Sequence, residues 1–465
     1  MRTLFVAVQV VIGLALAAER PQVTVNPLAG PYVPAYPVKV SASGRYLVDQ
    51  NNVPFMMVGD APQALIGNLS ESLADAYFAD REAHGFNTLW INLLCTTYTG
   101  CNKAGTTYDG LSPFTRGNSP RNYDLSKPNE TYFKRVDDML HLAANHHLQV
   151  FLDPIETGGW LITLQSNGAT KAYQFGQYLG NRYKNFQNIV WMSGNDFQTW
   201  KTTSDDAVVL AVAQGIRSFD SNHIQTTELN YELSSSLDDN RWAPLLGLNS
   251  AYTYYPTYDE VLHAYNQASS IPTFLVEAHY ESETVGGCCE ESGTPKILRL
   301  QEYWSMLSGA TGQLYGNHYT WTITNSWLYA NIDTLGVTQL GYWKAFFASR
   351  PWYNLIPDQT HIVVTAGYGN YNGTGALGTN TYVTTARTPD GALVVLYAPV
   401  STTLQVDMTK LAGTTTANWF DPANGTYTPV AGSPFANTGT RSFTTPGNNS
   451  AGDTDWVLVL ESPII

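Results

Sequence analysis

The chain has 465 residues, 43% of them hydrophobic and only 13% charged, which is enough apolar material for a large core and excludes a disordered or solvating protein. That length calls for one large domain and a smaller one. A net charge of −14 argues against nucleic acid or an anionic membrane as partner and suits a monomer kept soluble by its own acidity.

The N-terminus, "MRTLFVAVQVVIGLALAAER", has Arg2, an apolar run from Leu4 to Leu14 and the small-x-small triplet Ala15-Leu16-Ala17. Residues 1–18 therefore read as a secretory signal peptide rather than a membrane span or a buried helix, and no later stretch could cross a bilayer. An extended lead-in, 19–53, is expected to follow and to pack on the C-terminal domain. Asn68, Asn129, Asn372, Asn424 and Asn448 each begin an Asn-x-Ser/Thr triplet, as suits a glycosylated, secreted protein. An oxidising compartment would turn Cys95, Cys101, Cys288 and Cys289 toward disulfides rather than a metal. Cys95 with Cys101 would close a short loop, but three pairings are possible and the spacing does not choose between them.

Between residues 54 and 351 one rhythm repeats: a short apolar run ends in polar residues, then a longer segment has helical spacing. The runs are "FMMVGD", "NTLWINLL", "LQVFLDPI", "NIVWMS", "IQTTEL", "GLNSAY", "TFLVEA" and "GQLYGN". Short apolar runs without alternation suit parallel strands buried on both faces. Among the intervening segments, Phe133, Val136, Leu140 and Ala143 share a helical face, as do Val209, Val212 and Ile216, and Ile297, Leu300, Trp304 and Leu307. Ser70 and Ser72 are suited to cap the helix carrying Leu73 and Tyr77. A fifth helix is expected within "ELSSSLDDNRWAPLL". Eight such units predict a closed (β/α)8 TIM barrel. A doubly wound open sheet is the alternative, but it lacks its glycine-rich phosphate loop here. From residue 352 to 465 the helical period disappears. "NTYVTTART", "GALVVLYAP", "NWFDPANGT" and "DWVLVLES" predict a small C-terminal antiparallel β-sandwich.

Barrel chemistry sits at the C-terminal ends of the strands. Those ends supply Asp60, Asn92, Asp153 with Glu156, Asn195 with Asp196, Glu228, Tyr254, Glu277 with His279 and Tyr280, and Asn317 with Trp321. Acids, amides and aromatics around one mouth fit sugar binding, and two carboxyls with divergent pKa values suffice to hydrolyse a glycoside. Asp60 and Asp153 are expected to hold structure or substrate rather than to catalyse. His279 and His318 match no zinc spacing, so no metal or cofactor is expected.

"VGDAPQAL", "YFADREAHGFNTLWINLL", "VWMSGND", "EAHYE" and "LYGNHYTW", in that order, resemble the apiosidase-like glycoside hydrolases, family 140, within the large retaining (β/α)8 clan. "NWFDPANGTY" resembles the C-terminal domain usual in that family, which has been labelled collagen-binding. The resemblance implies Asp196 as general acid/base and Glu277 as nucleophile, with Asn195 on the hydroxyl beside the anomeric carbon and Tyr254 or Tyr280 orienting Glu277. Asp60, Asn92, Asp153, Glu228, His279, Asn317 and Trp321 would bind substrate, and Glu228 competes for the acid role. It further implies release of apiose or a related furanoside from a plant cell-wall, pectin-type glycan. An endo-acting carbohydrase on the same barrel, or a non-catalytic glycan-binding protein, are the alternatives.

Overall fold

The structure, a computed structural model, describes residues 32–230, 233–268, 270–285, 291–323 and 331–463. The expected signal peptide, the first part of the lead-in and the pair Cys288–Cys289 lie outside the described residues.

Eight parallel strands form the central sheet: β1 (Met57–Asp60), β2 (Thr88–Asn92), β3 (Gln149–Asp153), β4 (Ile189–Ser193), β5 (Gln225–Thr227), β6 (Asn249–Thr253), β7 (Thr273–Glu277) and β8 (Ala310–Tyr315). Pairing runs continuously from β5 back through β1 and on by β8 and β7 to β6. The remaining seam, β5 to β6, is bridged by the Gly247 amide donating to the Gln225 carbonyl at 3.0 Å. The Ser236 and Ser250 hydroxyls both donate to the Thr227 carbonyl, at 2.6 and 2.8 Å. Every residue of these strands is buried, which explains why they read as unbroken apolar runs.

Among the described residues seven long helices cover the barrel, besides a single turn at Leu65–Asn68: α1 (Glu71–Ala83), α2 (Glu130–Asn145), α3 (Thr157–Tyr183), α4 (Thr203–Arg217), α5 (Thr257–Gln267), α6 (Pro295–Leu307) and α7 (Leu335–Ala348). Ser70, Asn129, Thr294 and Thr334 cap four of them through side-chain oxygens. The helix expected after β5 does not form. A short strand, Leu233–Ser235, pairs antiparallel with β6, and a single 3-10 turn follows at Ser236–Asp238. The cause is local: Ser234 and Ser236 spend their hydroxyls on the Asn230 and Thr227 carbonyls, offering the backbone an alternative to a helix.

The described part of the lead-in also departs in part from expectation. Its hairpins, at Lys39–Val40, Leu47–Val48 and Pro54–Phe55, form a three-stranded sheet. Val38, Leu47 and Phe55 join Trp90, Phe151, Val190 and Phe274 in one apolar cluster, so this part of the segment packs into the barrel, while Tyr46 reaches the C-terminal region at Trp352 and Tyr353. Its amide of Leu47 donates to Thr311 Oγ1, at the start of β8.

The C-terminal region has nine strands: β9 (Ile356–Pro357), β10 (Val364–Ala366), β11 (Thr384–Arg387), β12 (Leu393–Ala398), β13 (Thr403–Asp407), β14 (Thr416–Asp421), β15 (Thr426–Pro429), β16 (Thr440–Thr444) and β17 (Trp456–Glu461). They make two sheets, ordered β9-β11-β12-β17-β14-β15 and β10-β13-β16. The inner strands β12 and β17 of the six-stranded sheet are buried on both sides. Leu393, Val395, Tyr397, Val457 and Val459 pack with Trp304, Trp343 and Phe346 from α6 and α7. Their neighbours Val394, Leu396, Leu458 and Leu460 pack with Leu404, Val406 and Phe443 of the smaller sheet. Arg299 of α6 is fully buried in this junction, with Nε and Nη2 on Asp455 at 2.9 Å, Nη2 also on Asp453 at 2.8 Å and Nη1 on Gln339 at 2.8 Å.

Candidate active site

The turn after β4 is the most constrained piece of backbone at the barrel's mouth. Gly194, Asn195 and Asp196 follow one another at φ of 117°, 61° and 54°. Asn and Asp tolerate the left-handed region better than other side chains do, yet two in succession persist only when their surroundings over-determine them. Four bonds do so. The Thr157 amide donates to the Gly194 carbonyl at 2.8 Å and the Thr157 hydroxyl to the Asn195 carbonyl at 3.1 Å. The Asn195 side chain donates to Gln63 Oε1 at 3.0 Å, and the Asp196 amide donates to Glu228 Oε2 at 3.0 Å. A Cβ on residue 194 would lie 2.0 Å from the Glu228 carbonyl oxygen, so only glycine fits. The turn thus lifts Asn195 and Asp196 off the end of the strand, both toward the centre.

Glu277, the last residue of β7, meets them there. Three phenols surround its carboxyl: Tyr252 and Tyr254 donate to Oε1 at 2.8 and 2.6 Å, and Tyr280 donates to Oε2 at 2.8 Å. Tyr254 is in turn braced by His279, whose Nε2 lies 3.0 Å from its carbonyl. Tyr280 receives a bond from Gln63 Nε2 at 3.0 Å, so Gln63 ties the Asn195 turn to the Glu277 cage. Asp196 accepts from the Tyr98 hydroxyl on Oδ2 at 2.5 Å, while its Oδ1 is buried without a partner.

Burial raises both carboxyls, and the Asp196 charge adds to the effect on Glu277, which is pushed up to about 8. The Tyr252 hydroxyl lowers both, so one phenol lies between the two groups. Two carboxyls facing each other in low dielectric share a proton rather than both ionising. The three donors on Glu277 stabilise its charged form, which leaves Asp196 to carry the proton.

Glu277, Asp196, Asn195, Tyr254, Tyr280 and Trp321 line a single cavity of about 240 Å³, together with Gln63 and Tyr98. Past Tyr98 and Asp196 it continues into a groove of about 420 Å³ that reaches Arg121 and Gln165, and a further hollow of about 530 Å³ adds Lys103.

Several expected sugar ligands do not reach this cavity. Asp60 is fully buried and is taken up by Tyr77 at 2.5 Å and Arg81 at 3.3 Å, a structural ion pair behind β1. Asn92 accepts from Trp90 Nε1 and donates to Glu156 at 3.4 Å, one layer below the mouth. Asp153 bonds the Ile155 amide, and burial holds it protonated far above the usual carboxylate range. Asn317 is spent on the Tyr319 amide and the Tyr315 hydroxyl. His279 acts on Tyr254, and Glu228 lies under Asp196. Barrel strands alternate their side chains, so a polar residue at a strand end faces the helices as often as the cleft. Tyr98 and Gln63 were missed because both belong to connecting segments rather than strand ends. The spacing Cys95–Cys101 around Tyr98, and the motif "VGDAPQAL" around Gln63, are the signals that point to them.

Among the described residues one disulfide is formed, Cys95–Cys101, with 5.8 Å between Cα atoms. Asn372, Asn424 and Asn448 are exposed. Asn68 and Asn129 instead commit their amide nitrogens to carbonyls, Asn68 to Gly100 and Thr322 and Asn129 to Ser112, so a glycan on either would break those bonds.

Residues 41–354 match the family described as "Apiosidase-like, catalytic domain", and residues 356–461 match "Putative collagen-binding domain of a collagenase". No curated protein matches the sequence. Among solved structures, one described as "Glycoside hydrolase" superposes with a TM-score of 0.78 at 20% identity, over 93% of this chain and 99% of that one. A glycoside hydrolase family 5 from Bacteroides vulgatus ATCC 8482 does so with the same TM-score and identity, over 93% of this chain and 95% of that one. At this identity the superpositions speak for the fold.

Proposed function

We propose, for a chain that belongs to the apiosidase-like glycoside hydrolases, that Glu277 is the nucleophile and Asp196 the general acid/base of a retaining reaction. The observation that carries this is the unequal treatment of two carboxyls in one cavity. Glu277 is wrapped by three phenol donors, which favour the anion a nucleophile needs. Asp196 has one phenol, Tyr98, at hydrogen-bond distance, so its anion is the less stabilised of the two and it is the readier to hold the proton.

In the first step a Glu277 oxygen forms a bond to the anomeric carbon. The bond from that carbon to the leaving oxygen breaks, and the Asp196 proton goes to the leaving oxygen. In the second, water gives a proton to Asp196, its oxygen bonds the anomeric carbon, and Glu277 leaves as carboxylate. Asn195, held by Gln63, is set to donate to the neighbouring hydroxyl, where the bond tightens as charge develops. Trp321 and Tyr280 offer apolar faces to the ring.

The proposed substrate is a terminal apiose or related furanoside on an acidic, pectin-type glycan. A cavity of about 240 Å³ has room for one sugar, which supports release of an end group over cleavage within a chain. The adjoining groove lies on the acid/base side, where the leaving group would run. Arg121 and Lys103 there suit a uronate-bearing aglycone, in a protein otherwise strongly acidic. Export from the cell belongs to the same proposal, supported by the N-terminal apolar run and the Cys95–Cys101 disulfide.

The test is incubation with apiosyl glycosides and pectic oligosaccharides, with the released sugar identified and its first-formed anomer read by NMR. Retention is expected. Asp196→Asn and Glu277→Gln should each lose at least ~10³-fold in rate, since each removes a group acting in the transition state. Near-normal turnover by either variant overturns the assignment.

A further inference from the structure

We propose that Tyr98, presented by the Cys95–Cys101 loop, is a positioning residue for Asp196: it holds one carboxyl oxygen, Oδ2, at the boundary between cavity and groove and stabilises the carboxylate left when the proton is delivered. The inference rests on Asp196 being the acid/base and adds a residue that strand-end reasoning does not reach.

The loop has no freedom to place the ring elsewhere. Its disulfide is buried against Gly67, where a Cβ would come within 2.6 and 2.7 Å of the two sulfurs. Inside the loop, the Thr96 amide and hydroxyl both donate to Glu156 Oε1 at 2.7 Å, and the Thr99 hydroxyl donates to Glu156 Oε2 at 2.5 Å. Gly100 rests on Thr322. The Tyr98 ring lies flat on the start of α3, so that a Cβ on Gly158 would fall 2.2 Å from it. The ring stands at the boundary between the 240 Å³ cavity and the groove, with its hydroxyl on Asp196 Oδ2.

The charged and titratable groups around the pair are Glu277 from β7, Tyr252 from β6, Glu228 beyond β5 and Arg121 across the groove. Burial first, then the charges of Asp196, Glu277 and Glu228, keep the Tyr98 phenol protonated, so it has a proton to donate to the carboxylate. Once the proton is delivered, the phenol bond becomes charge-assisted and stabilises the new carboxylate; it relaxes again when Asp196 recovers a proton from water. Tyr98 thus contributes to both half-reactions by acting on Asp196.

The experiment follows Asp196 directly. Protein labelled at the aspartate side-chain carboxyl carbon is titrated by NMR, the Asp196 signal being the one lost in Asp196→Asn. Tyr98→Phe should raise the Asp196 pKa by about one unit, because a donor to the charged form is gone. The alkaline limb of kcat/KM should move up with it. Rates should fall by about 10–100-fold on methyl apiofuranoside, which needs a proton on its leaving oxygen. On 4-nitrophenyl apiofuranoside, which does not, they should fall by less than about 3-fold. Gly158→Ala keeps the hydroxyl but displaces the ring, and should reproduce the same split. An unmoved Asp196 pKa in Tyr98→Phe, or equal losses on both glycosides, overturns the inference. If Asp196→Asn is itself active, the acid/base assignment fails instead. If wild-type protein cleaves neither glycoside, the substrate reading fails and the titration alone decides the role of Tyr98.

Discussion

Gly194, Asn195 and Asp196 store strain at the mouth of the barrel beside Glu277, and each neighbour that holds them has a measurable share. Alanine at 194 would need both a left-handed φ and space that the Glu228 carbonyl already fills. Gly194→Ala should therefore cost at least ~2 kcal/mol in urea unfolding and lower kcat by ~10²-fold through misplacement of Asp196. Glu228 is the rival for the acid role. Burial, followed by the charges of Glu277 and Asp196, keeps it protonated well above the usual range, and its work is to accept the Asp196 amide. Glu228→Gln preserves an acceptor without a titrating proton, so kcat/KM should stay within about 10-fold; a ~10³-fold loss would transfer the acid role to it. The cleft pair should give a bell-shaped kcat/KM profile. Activity falls on the acid side when Glu277 gains a proton and on the alkaline side when the shared proton leaves. Because burial raises both groups, the alkaline limb should lie well above ordinary carboxylate values.

Helix α6 couples two parts of the chain through one cation. Arg299 is buried with Asp455, whose Oδ2 also accepts from Tyr397 at 2.9 Å and whose Oδ1 accepts from Asn449 at 2.8 Å. Arg299→Met would strand a buried carboxylate and should cost about 3–5 kcal/mol in chemical denaturation, whereas adding Asp455→Leu should recover much of the loss. Were the single variant as stable as wild type, the junction would not be a cooperative element. The connection after β5 teaches the converse. Without a helix there, serine hydroxyls and a short antiparallel strand close the barrel seam, so an element absent from the expected repeat is replaced by side-chain hydrogen bonds rather than by a gap.

Across the whole molecule, the balance of buried acids sets a pH dependence of stability. Glu156, Glu277, Glu228, Asp153 and Glu302 all have folded-state values raised by burial, to about 7 for Glu156 and about 8 for Glu277. A raised group contributes stability in full below its unfolded value and loses it as pH climbs through the folded one. Asp109, Asp124 and Glu130, held low chiefly by arginine or lysine partners, work oppositely and lose theirs in strong acid. The melting temperature should therefore peak in mild acid and fall steadily from about pH 5 to 8; a rise over that window would contradict burial as the dominant cause. The shared core of α6, α7 and the six-stranded sheet makes a second expectation. Calorimetry should record one cooperative transition, and a chain ending at residue 355 should aggregate, since it exposes Trp304, Trp343 and Phe346.

The repeating strand–helix order, the change of texture near residue 352 and the positions of Asp196 and Glu277 at strand ends are legible in the chain alone, because each is written in a local pattern: periodicity, turn residues, or a short motif at a strand end. "GALVVLYAP" and "DWVLVLES" were legible as strands, but their continuous apolarity came from burial between α6–α7 and a second sheet, which no local pattern records. Only the tertiary structure decided that Asp60, Asn92 and Asp153 turn away from the cleft, that part of the lead-in packs into the barrel, and that Tyr98 and Gln63 join the site. These depend on which way a side chain points and on contacts between residues distant along the chain: Gln63 meets Asn195 across 132 positions and Tyr98 meets Asp196 across 98. Such meetings are set by closing the barrel, not by any stretch of chain short enough to carry its own signal.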